Sequence, residues 1–199
     1  MNLPNKLTIS RILMIPFILV FMLPIAFFDS DSIWNTFVYE YGMIIATVIF
    51  GFASLTDTVD GQIARKRGIV TNMGKFLDPI ADKLLVTSVL IALVQLNRIT
   101  AWVAIIVIFR EFIVTGIRLL AADKNVVISA SRIGKIKTII QIIAIIAIML
   151  STQISISFPD WAGIPYIERI SLFILLLAVI LTLLSGYDYL KKNLKFIKE

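Results

Sequence analysis

Six apolar stretches, at about residues 9–28, 37–56, 77–96, 99–121, 133–153 and 168–188, divide this chain of 199 residues. The hydrocarbon core of a bilayer takes roughly 20 helical residues to cross. Its interior accepts only backbone whose hydrogen bonds close within a helix or a barrel. Each stretch meets that length, so the chain reads as an all-α integral membrane protein. The expected architecture is a six-transmembrane-helix bundle, one domain over residues 1–199. Composition agrees: 59% of the residues are apolar, against about 45–50% in soluble domains. The first stretch holds Pro16 and Pro24 and runs into "FFDSDS" rather than a small-residue cleavage site, so it reads as a retained span.

Charge sets the orientation. Residues 29–40 carry Asp29, Asp31 and Glu40 without a lysine or arginine, the link at 97–98 carries Arg98, and residues 154–168 carry Asp160 and Glu168. The alternate connections are basic: Lys6 and Arg11; Arg65, Lys66, Arg67 and Lys75; Lys124, Arg132, Lys135 and Lys137; Lys191, Lys192, Lys195 and Lys198. By the positive-inside rule, both termini are expected in the cytoplasm. The formal net charge of +6 (19 Lys and Arg against 13 Asp and Glu) then reflects topology. No basic stripe interleaved with aromatics suggests nucleic acid.

The chain has no cysteine and no histidine. Disulfides, thiol nucleophiles and Cys/His metal sites are excluded. Proton transfer falls to Asp, Glu, Lys, Tyr or water. A bound metal would need oxygen ligands, which favours Mg²⁺, Mn²⁺ or Ca²⁺.

Oxygen ligands are gathered in one place. Residues 57–82 read "DTVDGQIARKRGIVTNMGKFLDPIAD", with four of the thirteen acids in 26 residues. They fall at the expected cytoplasmic ends of spans 2 and 3. If 57–65 continues the helix of span 2, Asp57, Asp60, Gly61 and Ala64 share one face. Asp78 and Asp82 are spaced to point one way on a helix, although Pro79 fits a first turn and kinks a helix further in. Like charges raise one another's pKa, and acids inside a membrane are costly. A pair of divalent cations relieves both problems, and such pairs recur in displacements at phosphorus. Gly61 and Gly74 permit close approach. Arg65 is placed to meet a phosphate.

The spacing Asp57-x2-Asp60-Gly61-x2-Ala64-Arg65-x8-Gly74-x3-Asp78-x3-Asp82 resembles the signature of the CDP-alcohol phosphotransferase family at all eight positions. Chain length and layout fit as well. The resemblance implies transfer of a phosphatidyl or similar group from a CDP-linked donor to an alcohol, with release of CMP and two divalent cations, Mg²⁺ or Mn²⁺, as cofactors. It implies metal ligation by Asp57, Asp60 and Asp78 with Asp82 nearby, and Asp82 as general base. It further implies a CDP pocket of Asp60, Gly61, Ala64, Arg65 and Gly74, and a homodimer.

The acceptor has to be read elsewhere. "FREFIVTGIRLLAA" (109–122) places Arg110, Glu111 and Arg118 in span 4. Glu111 and Arg118 are two turns apart on one face. Arg110, roughly 18 Å from the cytoplasmic end, needs a partner or a wet cavity. "SRIGKIKTIIQ" (131–141) opens span 5, where Lys135 and Lys137, two apart, cannot both point straight into one site. These cations either anchor topology and pair with Glu111, or form a pocket for an anionic acceptor.

Both stretches, with the N-terminal "NLPNKLTISRILMIP", resemble the branch of the family that accepts sn-glycerol 3-phosphate. The implied substrates are CDP-diacylglycerol, with its acyl chains in the bilayer, and glycerol 3-phosphate, held by Arg118, Lys135, Arg110 and Lys137. Thr8 and Arg11 would border the nucleotide or the lipid path. Such an enzyme would sit in the cytoplasmic membrane with its site facing the cytoplasm. The same chemistry with phosphatidylglycerol, inositol phosphate or serine as acceptor is the alternative. A cation-coupled transporter fits less well, because the acids lie at one membrane face rather than at the midplane.

Overall fold

The computed structural model of the chain describes residues 3–25, 32–67, 72–123, 126, 128 and 131–193, with the side chains of 3–7, 57–67, 72–79, 82 and 123 outside that description. The regular structure is helical throughout: α1 (Leu3–Met22), α2 (Ile33–Phe37), a π-helical turn (Val38–Gly42), α3 (Met43–Arg67), α4 (Asn72–Gln95), α5 (Ala101–Asp123), α6 (Arg132–Ser157) and α7 (Ile164–Asn193). Three described helical segments, 33–56, 132–157 and 164–193, are long and apolar enough to cross a membrane. Thr8–Met22 and Lys83–Gln95 are shorter apolar helices. The apolar run of α5 is broken by Arg110, Glu111 and Arg118.

Most expected spans are displaced at their ends. The first, expected to reach residue 28, stops at Met22. Pro24 follows, and a residue before proline is disfavoured in the α region. The third begins at Asn72 rather than 77. The second runs to Arg67, so the helix does continue through 57–65. Polar residues extend the helices because backbone hydrogen bonding continues beyond the apolar run.

Local chemistry explains several boundaries. Ser32 and Ser131 cap α2 and α6, each accepting a hydrogen bond from the backbone N–H three residues on, at 3.2 and 3.0 Å; a cap satisfies one of the otherwise unpaired first-turn donors. After α4, Asn97 takes the left-handed conformation (φ 56°). The N–H of Asn97 then donates to Val94 O and that of Arg98 to Leu93 O, the paired closure that ends many helices.

The long helices pack as a ring: α1 on α3 and α4, α3 on α6, α6 on α7, α7 on α5, and α5 back on α4. The main interior cluster includes Ile18, Phe50, Leu85, Leu93, Val107, Ile145 and Met149, and a smaller one holds Val114, Ile117 and Tyr189. Buried Ala46, Ala53, Ala92, Ala144 and Ala178 let backbones approach. In lipid such a core gains from close packing and not from leaving water. Outside, Phe17, Phe52, Phe109, Phe112 and Phe173 are exposed, as a lipid-facing surface requires.

Candidate active site

The backbone carries the aspartate signature on two helices that touch. Positions 57, 60, 61, 64 and 65 lie on the last turns of α3; positions 74, 78 and 82 lie on α4. Pro79 is therefore inside a helix and not in its first turn. The side chains of Asp57, Asp60, Gly61, Ala64, Arg65, Gly74, Asp78 and Asp82 lie outside the described ones. Among the described residues no group of three acids, histidines or cysteines could hold a metal ion. Carboxylate oxygens, which the signature aspartates carry, suit a hard cation such as Mg²⁺ or Mn²⁺.

The described side chains next to the signature form a partly buried polar group. A cavity of about 40 Å³ is lined by Ser54, Lys83, Thr87, Glu111, Lys137 and Gln141, among others. Ser54 lies one helical turn before Asp57, and Lys83 follows Asp82. Glu111 is the hub. Its Oε1 accepts from Arg110 Nη1 at 2.9 Å and also from Lys137 Nζ. Lys137 is fully buried. Lys83 Nζ donates to Thr115 Oγ1, which in turn donates to the Glu111 backbone oxygen at 2.8 Å. Charges this far from water persist only when paired and hydrogen-bonded.

The sequence places Arg110 far from the end of its helix, and the structure supplies what such a depth demands. Gly134, the third residue of α6, lies against it: a Cβ built there would stand 3.5 Å from Arg110 Nη2. The start of α6 is thus level with the middle of α5, which runs on to Asp123, roughly three and a half turns past Arg110.

The four expected acceptor cations separate into groups. Arg110 and Lys137 meet at Glu111. Arg118 is exposed and rests on α7, where its Nε donates to Tyr189 Oη at 3.3 Å and its guanidinium lies 5.7 Å from the ring centroid. It takes Tyr189, and Arg110 takes the Glu111 carboxylate. Lys135 is exposed while Lys137 is buried, as two positions two apart on a helix must diverge. Thr8 and Arg11, on α1, are both buried. Lys83, Gln141, Gly186 and Tyr189 were not expected from sequence. Only Lys83 had a signal, its place beside Asp82.

An all-helical membrane fold carrying this aspartate spacing defines a class, and comparison with known proteins gives the same one. The model of the CDP-alcohol phosphatidyltransferase family matches residues 1–184, and the chain belongs to that family. It is similar to the CDP-diacylglycerol–glycerol-3-phosphate 3-phosphatidyltransferase of Bacillus subtilis, 43% identical over 99% of this chain and 97% of the relative. The enzyme of that name from Haemophilus influenzae is 35% identical over 96% and 92%. A probable phosphatidylglycerophosphate synthase of Mycobacterium tuberculosis is 35% identical over 98% and 83%.

Proposed function

We propose that this chain transfers the phosphatidyl group of CDP-diacylglycerol to sn-glycerol 3-phosphate, giving phosphatidylglycerol phosphate and CMP in phospholipid synthesis. The position of the Arg110–Glu111–Lys137 group carries the reading. Its Glu111 and Lys137 line a cavity with Ser54 and Lys83, which neighbour two of the signature aspartates in the sequence. Arg110, Lys137 and Glu111 together hold one excess positive charge. A phosphate-bearing alcohol suits such surroundings, whereas serine does not require them.

Asp57, Asp60, Asp78 and Asp82 would hold two divalent cations, which when bound supply charge neutralisation at the pyrophosphate. Asp60, Gly61, Ala64, Arg65 and Gly74, with Thr8, form the nucleotide pocket. Arg110 and Lys137, with Arg118 and Lys135 nearer the rim, hold the acceptor phosphate. Asp82 takes the proton of the acceptor hydroxyl. The hydroxyl oxygen bonds to the β-phosphorus, the bridging P–O bond breaks, and CMP leaves with that oxygen. Six spans, cytoplasmic termini, a single domain, a cytoplasm-facing site in the cell membrane and a homodimer complete the proposal; the distribution of basic residues supports the orientation.

The test is CMP release by purified protein with CDP-diacylglycerol and Mg²⁺ or Mn²⁺. Glycerol 3-phosphate, inositol phosphate, serine and phosphatidylglycerol are offered separately. Release with glycerol 3-phosphate alone, lost on chelation, is expected. Release with another alcohol alone would replace the acceptor, and no release from folded protein would overturn the transferase reading.

A further inference from the structure

Arg110 is held from two sides by residues that the reaction itself does not require. Its stem passes α7 at Gly186, where an added Cβ would stand 3.2 Å from Arg110 Cγ. Ordinary carbon–carbon contact is about 3.5–4.0 Å, so any side chain at 186 pushes the stem aside. At the other end, Glu111 Oε1 takes Arg110 Nη1. The side-on edge of the guanidinium, Nε with Nη2, is left. Nε is buried and has no hydrogen-bond partner among the described residues. Nη2 stands 3.5 Å from where a Cβ at residue 134 would lie. Nε and Nη2 form the fork that binds a phosphate through two parallel hydrogen bonds. A buried donor without a partner is costly, and its persistence marks a place completed by something else.

We infer that Glu111 and Gly186 are positioning residues that aim the Nε–Nη2 edge of Arg110 at the acceptor phosphate. Glu111 fixes the rotation of the guanidinium by holding Nη1. Gly186 fixes the path of the stem by offering a slot in α7. Neither touches the acceptor. The inference rests on the reading that Arg110 binds the acceptor, and the test separates the two.

Gly186→Ala and Gly186→Val are compared with Glu111→Gln and Arg110→Gln, measuring KM for glycerol 3-phosphate, KM for CDP-diacylglycerol, kcat, the Ki of inorganic phosphate as a competitor, and thermal stability in detergent. Small misplacements of a substrate-binding group cost up to about 100-fold when they approach 1 Å. A shift of a few tenths should raise the acceptor KM by about threefold to tenfold in Gly186→Ala. Gly186→Val should raise it further, Glu111→Gln should also raise it, and the phosphate Ki should rise in parallel. KM for CDP-diacylglycerol should stay unchanged. Alanine is the better helix former, so the melting temperature of Gly186→Ala should not fall.

If Arg110→Gln leaves the acceptor KM unchanged, the acceptor reading itself fails. If Arg110→Gln raises it while Gly186→Ala does not, the positioning role is overturned and the acceptor reading stands. Should Gly186→Val not fold, Gly186→Ala decides alone. A fall in stability with equal rises in both KM values would show that Gly186 serves packing only.

Discussion

Replacing Gly42 by alanine adds one methyl group where the π-helical turn lies directly against the end of α1. The new Cβ would lie 2.1 Å from the carbonyl oxygen of Phe21 and 3.1 Å from Val38 Cγ1. Carbon–oxygen contacts settle near 3.3–3.6 Å, so the end of α1 and the π-helical turn must part by about 1 Å. The obstacle is backbone, which cannot rotate aside. Overpacking of this kind costs about 1–3 kcal/mol, and a full backbone clash belongs at the upper end. Alanine returns up to about 1 kcal/mol through helix propensity, leaving a net loss of about 2 kcal/mol. For a chain of this size that lowers the melting temperature by about 4–8 °C. Gly51 and Gly116 provide the controls, since a Cβ at either meets nothing within 4 Å. Gly51→Ala and Gly116→Ala should keep only the propensity gain and hold or raise the melting temperature. Thermal unfolding of the three variants in one detergent is the assay. If Gly42→Ala is as stable as the two controls, the close approach of α1 to the π-helical turn is not a feature of the folded protein.

Two further outcomes test the site and its scaffold. Asp57→Asn should abolish CMP release while the melting temperature stays within a few degrees of wild type, and wild-type turnover in that variant would remove Asp57 from the metal site. Ser131→Ala deletes the hydroxyl that accepts from Gly134 N at 3.0 Å; losing such a cap costs about 1 kcal/mol, read as a melting temperature lower by about 2–4 °C, and an unchanged value would mean that water replaces the cap without loss.

The sequence by itself determined the helical membrane class, because a run of apolar residues long enough to cross lipid leaves the backbone no other way to satisfy its hydrogen bonds. It also determined the family, since the aspartate signature is a local spacing along two helix ends, legible without knowing how the helices pack. The limits of the helices were less legible: apolarity marks where lipid is met, while α3 and α4 continue past it on backbone hydrogen bonds. Only the tertiary structure decided which cations belong together. Glu111 and Lys137 are 26 residues apart, and Arg118 and Tyr189 are 71 apart. The first pairing depends on α6 starting level with the middle of α5 and the second on α7 packing against α5, offsets that no periodicity along one helix records. The same holds for Gly186. In the sequence it is one glycine in an apolar helix, and its meaning comes from Arg110 on α5, whose stem occupies the space that a side chain at 186 would take. Pattern along a chain reports what each helix presents to lipid or water; contact between helices is fixed by their relative height and rotation, which close packing sets only once the whole ring is assembled.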